Sequence, residues 1–228
     1  MRADGTSLRR ISRTPVFGAA WSPDGKTIIA ASLSQARGVL DVRFSSIDVS
    51  SGHARVLWRR RSECGVAGED LAWSARARRI AYTDFMSTCR RVIRLVRPDG
   101  GGRSIVVTGG RSVAGGDVGG PKGAFGPAWS HDGRLAFVSL LDLGNVGLYD
   151  VDLRVARSDG SRPVVVSRIP GQICSAGGPS WVPEGKRLVW SVEPCDAQYP
   201  TLRVVTVSTG AMRTVGFGRD PDWRKANG

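Results

Sequence analysis

Short apolar runs alternate along the chain with polar turn segments, and one combination of the two recurs. Four copies each have a few residues that end in Trp-Ser or Trp-Val, a polar turn and a second apolar run, and a fifth, at residues 220–225, is cut short. The tryptophans of the copies are 52, 56, 52 and 42 residues apart: Trp21, Trp73, Trp129, Trp181 and Trp223. Self-similarity at such a period is typical of a repeat architecture.

The repeated unit predicts a β-hairpin. In Pro23-Asp24-Gly25 the proline presets φ, the aspartate bonds nearby backbone and the glycine accepts a positive φ. The apolar run after each turn is short and bounded by turn residues, which predicts a strand buried on both faces. These runs are residues 28–31, 80–82, 135–138 and 188–190.

A second, outer hairpin follows in each period, around a turn that contains glycine. Its predicted strand pairs are 42–48 with 54–59, 92–97 with 104–108, 151–157 with 163–168, and 202–207 with 212–217. Four strands per period is the content of one blade of a β-propeller.

The motif Ala-Trp-Ser-Pro-Asp-Gly-Lys at residues 20–26, with the Asp-Gly turn and the short arginine-rich strand that follow, resembles the WD40-like repeat of TolB-type β-propellers. The resemblance covers nearly the whole chain, in four full copies and two partial ones. It implies an all-β fold of four-stranded antiparallel blades. It implies little about function, because propellers host many unrelated roles.

We expect one propeller domain over residues 1–228, which is long enough for one sizeable core. Residues 1–15 match an outermost strand and residues 219–228 an innermost strand, so the two partial blades do not complement each other. The sequence therefore predicts an open or incomplete ring, either an arc of a longer propeller or a ring with one defective blade. The full blades are expected at residues 16–60, 61–108, 109–169 and 170–218.

The net charge of +13 comes almost wholly from arginines, which are scattered through every repeat. The one dense run is Arg59-Arg60-Arg61. A nucleic-acid-binding protein more typically clusters its charge and interleaves aromatic residues, so we expect no specific nucleic-acid partner. The charge predicts a solvated surface with weak, salt-sensitive attraction to acidic polymers or anionic surfaces. No apolar run approaches the ~20 residues of a membrane-spanning helix.

Four cysteines allow three pairings. Cys64 and Cys89 flank Trp73 much as Cys174 and Cys195 flank the tryptophan of the fourth blade. One cysteine of each pair is expected in the loop before the innermost strand, and the other in the loop between the second and third strands, at the same end of the blade. We therefore predict the disulfides Cys64–Cys89 and Cys174–Cys195, each worth about 3 kcal/mol.

The alternative to disulfides is four reduced, buried thiols. Disulfides would indicate an oxidising, extracytoplasmic compartment: periplasm, cell surface or medium. The first ten residues lack the apolar segment of a signal peptide, which conflicts with that localisation unless Met1 is not the natural start.

Two long loops at the same end are candidate interfaces for a partner. Residues 109–125 are glycine-rich and are expected to form the longest structureless connection, which is either functional or merely mobile. Residues 141–150 form either a weak cation or partner site or a polar solvent loop, because they lack the spacing of a calcium-binding loop. The candidate residues are Arg111, Asp117 and Lys122 in the first loop, and Asp142, Asn145 and Asp150 in the second.

The sequence predicts no enzyme, cofactor or metal site. It has no Gly-x-Ser-x-Gly elbow, His-Glu-x-x-His pair or phosphate-binding Gly-x-x-x-x-Gly-Lys-Ser/Thr motif. Its two histidines, His53 and His131, fall in predicted surface turns. The carboxylate pairs Glu69-Asp70 and Asp220/Asp222 precede strands and lack a partner acid. The repeat tryptophans are expected to be core wedges between blades.

Two hypotheses for the function remain. The resemblance to TolB-like propellers implies a non-catalytic scaffold outside the cytoplasmic membrane, holding protein or envelope partners on its loop face. The alternative is the propeller portion of a prolyl-oligopeptidase-type serine peptidase, in which similar Trp-Ser-Pro-Asp-Gly repeats precede a hydrolase domain and gate substrate access.

Overall fold

The computed structural model describes residues 9–36, 39–62, 65–87, 89–106, 121–142 and 149–221, and within these ranges its regular elements are sixteen β-strands. Blade one comprises β1 (Gly18–Trp21), β2 (Thr27–Ala36), β3 (Val39–Asp48) and β4 (Ala54–Ser62). Blade two comprises β5 (Leu71–Ser74), β6 (Arg79–Phe85), β7 (Arg91–Val96) and β8 (Ser104–Ile105). Blade three comprises β9 (Pro121–Trp129), β10 (Leu135–Asp142), β11 (Tyr149–Ala156) and β12 (Val164–Ala176). Blade four comprises β13 (Ser180–Trp181), β14 (Arg187–Pro194), β15 (Thr201–Thr206) and β16 (Met212–Phe217).

Consecutive strands within each blade pair antiparallel, as predicted. Blade one is a separate sheet, whereas β7–β9 and β12–β14 pairings join the other three blades. The tight turns between first and second strands and between third and fourth strands lie at one end of the blades, which we call the turn end. The other ends of the strands define the opposite end of the blades, which we call the loop end. The prediction of an all-β fold built from four-stranded antiparallel blades is confirmed.

The second strands of the blades are buried on both faces, also as predicted. In β10, every residue from Leu135 to Val138 has no exposed surface. Each of the four repeat tryptophans that the structure describes pairs with the first residue of the apolar run, as Trp21 does with Ile28 and Trp129 with Leu135. The register of the inner hairpin is therefore the same from blade to blade.

Several strands extend farther toward the loop end than the sequence indicates. Residues 34–41 lie between the predicted strands at 28–31 and 42–48, yet they are mostly strand, because β2 continues to Ala36 and β3 begins at Val39. Residues 121–125, expected to be structureless, belong to β9. Cys174, expected in a loop, lies in β12. Its neighbour Ile173 pairs with both β11 and β14, so the backbone of β12 is hydrogen-bonded across two blades.

Two of the repeat tryptophans join consecutive blades by the same hydrogen bond. The indole nitrogen of Trp129 donates to the Ala72 carbonyl at 3.2 Å, and that of Trp181 donates to the Ala128 carbonyl at 3.1 Å. The prediction of a buried wedge is wrong for Trp21, which is 58% exposed. Among the described residues, no inner strand of a preceding blade lies against it.

The outer turn of each blade packs on the outer strand of the preceding one. A Cβ atom on Gly210 of blade four would lie 2.8 Å from the carbonyl oxygen of Val166 in blade three. A Cβ atom on Gly52 of blade one would lie 3.2 Å from the carbonyl oxygen of Ile11. Ile11 thus lies where the outer strand of a preceding blade would lie, which is the role that the sequence predicts for residues 1–15.

The expectation that the arginines form only a solvated surface is wrong for those that surround two buried aspartates. Asp84 has no exposed surface and accepts hydrogen bonds from the Nε atoms of Arg60 at 2.9 Å and Arg94 at 2.6 Å. Arg60 comes from β4, so this cluster ties blade one to blade two. The equally buried Asp152 pairs with two arginines of blade three, Arg154 and Arg168.

Candidate functional site

Residues two to four positions before the repeat tryptophans converge at the loop end around a cavity of about 270 Å³, which we call the axial cavity. Residues of all four blades contribute, together with the segment after blade four. They are Ala19; Glu69, Asp70 and Leu71; Gly126 and Pro127; Gly178 and Pro179; and Asp220 and Pro221.

Small residues bring the inner strands of blades three and four together at this cavity. Gly126 has a φ of 63°, and a Cβ atom there would lie 2.5 Å from the Cα atom of Gly178. Any larger side chain would push these strands apart. Glycine and the adjacent prolines therefore make much of the cavity wall rigid backbone.

Asp70 is the half-buried carboxylate of the axial cavity, and its position is set by hydrogen bonds. Its Oδ2 atom accepts one from the Thr83 hydroxyl at 3.0 Å and one from the Gly126 backbone amide at 3.2 Å. Asp70 thereby links blade two to blade three. Glu69 and Asp220, in contrast, are exposed at the cavity. The cavity thus offers one oriented and two solvated carboxylates, which suit cationic or hydrogen-bond-donating groups of a ligand.

A smaller cavity of about 130 Å³ adjoins the axial cavity on blade four and shares Asp220 with it. Its wall includes Glu193 and Arg219, whose side chains form an ion pair at 2.7 Å. The disulfide Cys174–Cys195 lies next to this wall, with a Cα–Cα distance of 4.9 Å. It links the ends of β12 and β14, at the point where blade three meets blade four.

The structure describes few of the residues that the sequence predicts to form an interface. Arg111, Asp117 and Asn145 lie outside the described residues. Lys122 lies on β9 and Asp142 on β10, but their side chains are outside the description.

The other predicted positions have mixed outcomes. Asp150 is described, and its Oδ1 atom accepts a hydrogen bond from the Gly171 amide at 2.6 Å, which is a structural role. Cys64 lies outside the described residues, so the pairing Cys64–Cys89 stays a prediction.

The residues of the axial cavity were not predicted as a site. Glu69 and Asp220 are visible in the sequence as carboxylates near repeat tryptophans, but they are 151 positions apart. The signal that could have found them is their common place in the repeat, a few residues before each tryptophan. Those positions line the axis of a propeller.

In the part of the chain that the structure describes, no histidine lies beside the carboxylates of the axial cavity. No cluster of three or more potential metal ligands occurs there. His53 and His131 are exposed at the turn end, away from the axial cavity. The described residues include no helix with the length and apolar character that crossing a membrane requires.

No protein-family model and no curated protein sequence matches the chain at a significant level. Solved structures do match it. TolB from Acinetobacter baumannii superposes with a TM-score of 0.65 at 16% identity, over 94% of this chain and 47% of the TolB chain.

Two enzymes with related folds also match. An oligogalacturonate lyase in complex with manganese has a TM-score of 0.62 at 12% identity, over 92% of this chain and 56% of the lyase. Dipeptidyl peptidase 4 from Porphyromonas gingivalis has a TM-score of 0.54 at 13% identity, over 89% of this chain and 33% of the peptidase. The chain thus spans about half the length of the TolB and lyase structures.

At these identities the likeness concerns the fold, and the same fold is shared by TolB proteins and by enzymes. The repeat motifs, the four antiparallel blades and the superposition on TolB agree. This chain has the fold of a TolB-like β-propeller.

Proposed function

We propose that this chain is a non-catalytic, TolB-like β-propeller scaffold that binds a protein or envelope-polymer partner through its loop end. The proposal rests on one observation, the axial cavity. Residues from four blades and from the segment after them meet there, so a ligand would contact the whole arc at once.

The chemistry of the cavity favours binding over reaction. Asp70 already accepts hydrogen bonds from Thr83 and Gly126, so both groups hold its carboxylate in place. Proton transfer to a substrate would have to compete with these bonds. The exposed Glu69 and Asp220 are free to meet basic or hydrogen-bond-donating groups of a partner.

The proposed location is extracytoplasmic: periplasmic, secreted or at the cell surface. The Cys174–Cys195 disulfide supports it, because such bonds persist in oxidising compartments. The net charge of +13 would add weak, salt-sensitive attraction to acidic polymers or anionic surfaces, as a supplement to the specific partner.

A charge reversal at the cavity tests the proposal. Immobilised wild-type protein, Glu69→Lys and the matched control Glu184→Lys, whose site lies at the turn end, are incubated with an envelope extract of the source cells. Bound proteins are quantified by mass spectrometry. We expect one set of proteins to be lost from Glu69→Lys and kept by Glu184→Lys. Equal capture by all three proteins would contradict a partner site at the loop end.

A parallel assay tests the absence of catalysis. The protein is incubated with oligogalacturonate in the presence of manganese and, separately, with chromogenic dipeptide substrates. We expect no turnover of either. Turnover that falls in Glu69→Lys but persists in Glu184→Lys would show that the cavity is an active site.

A further inference from the structure

The turn end carries a larger groove than the axial cavity. It lies between blades one and two, measures about 570 Å³, and has the half-buried Trp73 in its wall. Asp24 and Thr27 of blade one border it on one side, and Arg78 and Asp99 of blade two border it on the other. We call it the Trp73 groove.

The corresponding place between blades three and four is occupied by an arginine of the chain itself. The guanidinium carbon of Arg134 lies 4.8 Å from the ring centroid of Trp181, within the range of a cation–π interaction. Its Nε atom lies 2.9 Å from Oδ2 of Asp132, and a terminal nitrogen donates to the Gly185 carbonyl at 2.6 Å. A ring, a carboxylate and a carbonyl together hold this cation.

Blade one lacks that arginine at the equivalent position. In both blades the repeat tryptophan pairs with the first residue of the apolar run, Ile28 in blade one and Leu135 in blade three. The residue immediately before that pairing partner is Thr27 in blade one and Arg134 in blade three. A threonine is too short to cover the ring of the next blade, which accounts for the open groove over Trp73.

Blade one nevertheless has a carboxylate, Asp24, at the place that Asp132 takes in blade three. Ser22 donates a hydrogen bond to Asp24 at 2.6 Å, as Ser130 does to Asp132 in blade three. The hydrogen bond from Ser22 holds the pKa of Asp24 below its usual value, so this carboxylate is ionised at neutral pH. The Trp73 groove therefore has the ring and the anion of the blade-three arrangement without its cation.

The other charges of the groove restrict what could supply that cation. Lys26, next to Asp24 in sequence, is not among the residues that line the groove. Arg78 and Arg97 do line it, and Arg97 lies 3.4 Å from the carboxylate of Asp99. Two cations and two anions thus border the space, so a bare cation would gain little from the groove as a whole. A guanidinium accompanied by a carboxylate would match both the anions and the cations that border the groove.

We propose that the Trp73 groove binds an arginine side chain of a partner protein, from a segment that also carries an acidic residue. The guanidinium lies over the ring of Trp73 and pairs with Asp24, in the manner of Arg134 over Trp181. The acidic residue faces Arg78. The groove is at the opposite end of the blades from the axial cavity, so this inference does not depend on the proposed loop-end function.

Two substitutions, one in each direction, test the proposal. The probe is N-acetyl-Arg-Glu-amide, and its neutral control replaces arginine with citrulline. Binding is followed by the NMR shifts of the tryptophan indole N–H groups, with the Trp73 signal assigned from Trp73→Phe. Thr27→Arg places an arginine of the chain in the groove and is expected to weaken binding about tenfold or more. Asp24→Asn, which keeps the shape of the turn, is expected to weaken it about fivefold or more.

Arg134→Thr is the opposite change, because it uncovers Trp181. We expect the arginine probe to shift the Trp181 signal in this variant only, in addition to the Trp73 signal. Thr27 is half-buried at the start of β2, where it borders the open groove, and Asp24→Asn keeps the hydrogen-bonding shape of the exposed turn, so the test also stands if Arg134→Thr does not fold. The proposal is overturned if the Trp73 signal does not respond to the probe, if the citrulline control binds as well, or if Thr27→Arg binds as tightly as the wild type.

Discussion

The buried carboxylate of Asp84 is predicted to be one of the main stabilising links between blades one and two. Its side chain has no exposed surface and accepts hydrogen bonds from Arg60, Arg94 and the Phe85 backbone amide. Replacing it with alanine would leave two arginines without their anion. Their side chains are 33% and 18% exposed, so both are partly desolvated.

Removing one partner of a buried ion pair typically costs about 3–5 kcal/mol. The lower part of that range applies here, because Arg60 is a third exposed and water can replace part of its interaction. We therefore expect Asp84→Ala to lower the free energy of unfolding by about 3 kcal/mol. For a domain of this length that corresponds to a fall in Tm of roughly 6–12 °C.

Thermal unfolding followed by circular dichroism measures this effect. The control is Glu184→Ala, which removes an exposed ion pair with Arg187 and is expected to change Tm little. The double variant Asp84→Ala/Arg60→Ala should be less destabilised than the sum of the single variants, because the two groups interact. A Tm for Asp84→Ala within 2 °C of the control, a threshold of roughly 1 kcal/mol, would refute the assignment.

Three further predictions concern the repeat tryptophans, the disulfide and the turn aspartates. Trp129→Phe should lower the free energy of unfolding, measured with denaturant, by about 1 kcal/mol or more, because it deletes the hydrogen bond to the Ala72 carbonyl. Trp21→Phe, at an exposed site, should change it little. Equal effects of the two substitutions would contradict the wedge role of Trp129. The double variant Cys174→Ser/Cys195→Ser should lose about 3 kcal/mol, and a change in Tm below about 2 °C would contradict this. Hydrogen bonds from Ser22 and Ser161 lower the pKa values of Asp24 and Asp159, respectively. The stability that these two carboxylates contribute to the fold is therefore present above the unfolded-state pKa of ~3.9 and is lost as the pH falls through their lower folded-state pKa values. Tm should therefore fall below about pH 4, and less steeply in Asp24→Asn/Asp159→Asn; an unchanged slope would contradict the assignment.

The inner hairpins could be predicted from the sequence because their information is local. In three of the four blades a turn of the Pro-Asp-Gly kind precedes a short apolar run, and together they indicate both strands and their register. Blade two has Ala-Arg-Ala-Arg at residues 75–78 instead, yet Trp73 pairs with Ile80 as Trp129 pairs with Leu135. The ends of the strands could not be predicted in the same way. Residues 173–176 are strand because β14 of the next blade pairs with them, and no local pattern indicates a partner in another blade.

The sites could not be predicted from the sequence because their residues come together only through contacts between blades. Asp84 is indistinguishable in the sequence from a surface carboxylate, and only the fold brings Arg60 of the preceding blade to it. Glu69 and Asp220 likewise meet at the axis because of the arrangement of the blades. Trp21 carries the same motif as the other tryptophans, yet it is exposed because its surroundings differ.

In-cell photocrosslinking can show whether a partner binds at the loop end. A photoreactive phenylalanine analogue replaces Glu69 at the axial cavity or Glu184 at the turn end, and crosslinked products are identified by mass spectrometry. We expect a discrete product that contains a second protein or an envelope polymer from the Glu69 position and none of that mass from the Glu184 position. The same product from both positions, or from the Glu184 position alone, would contradict a partner site at the loop end.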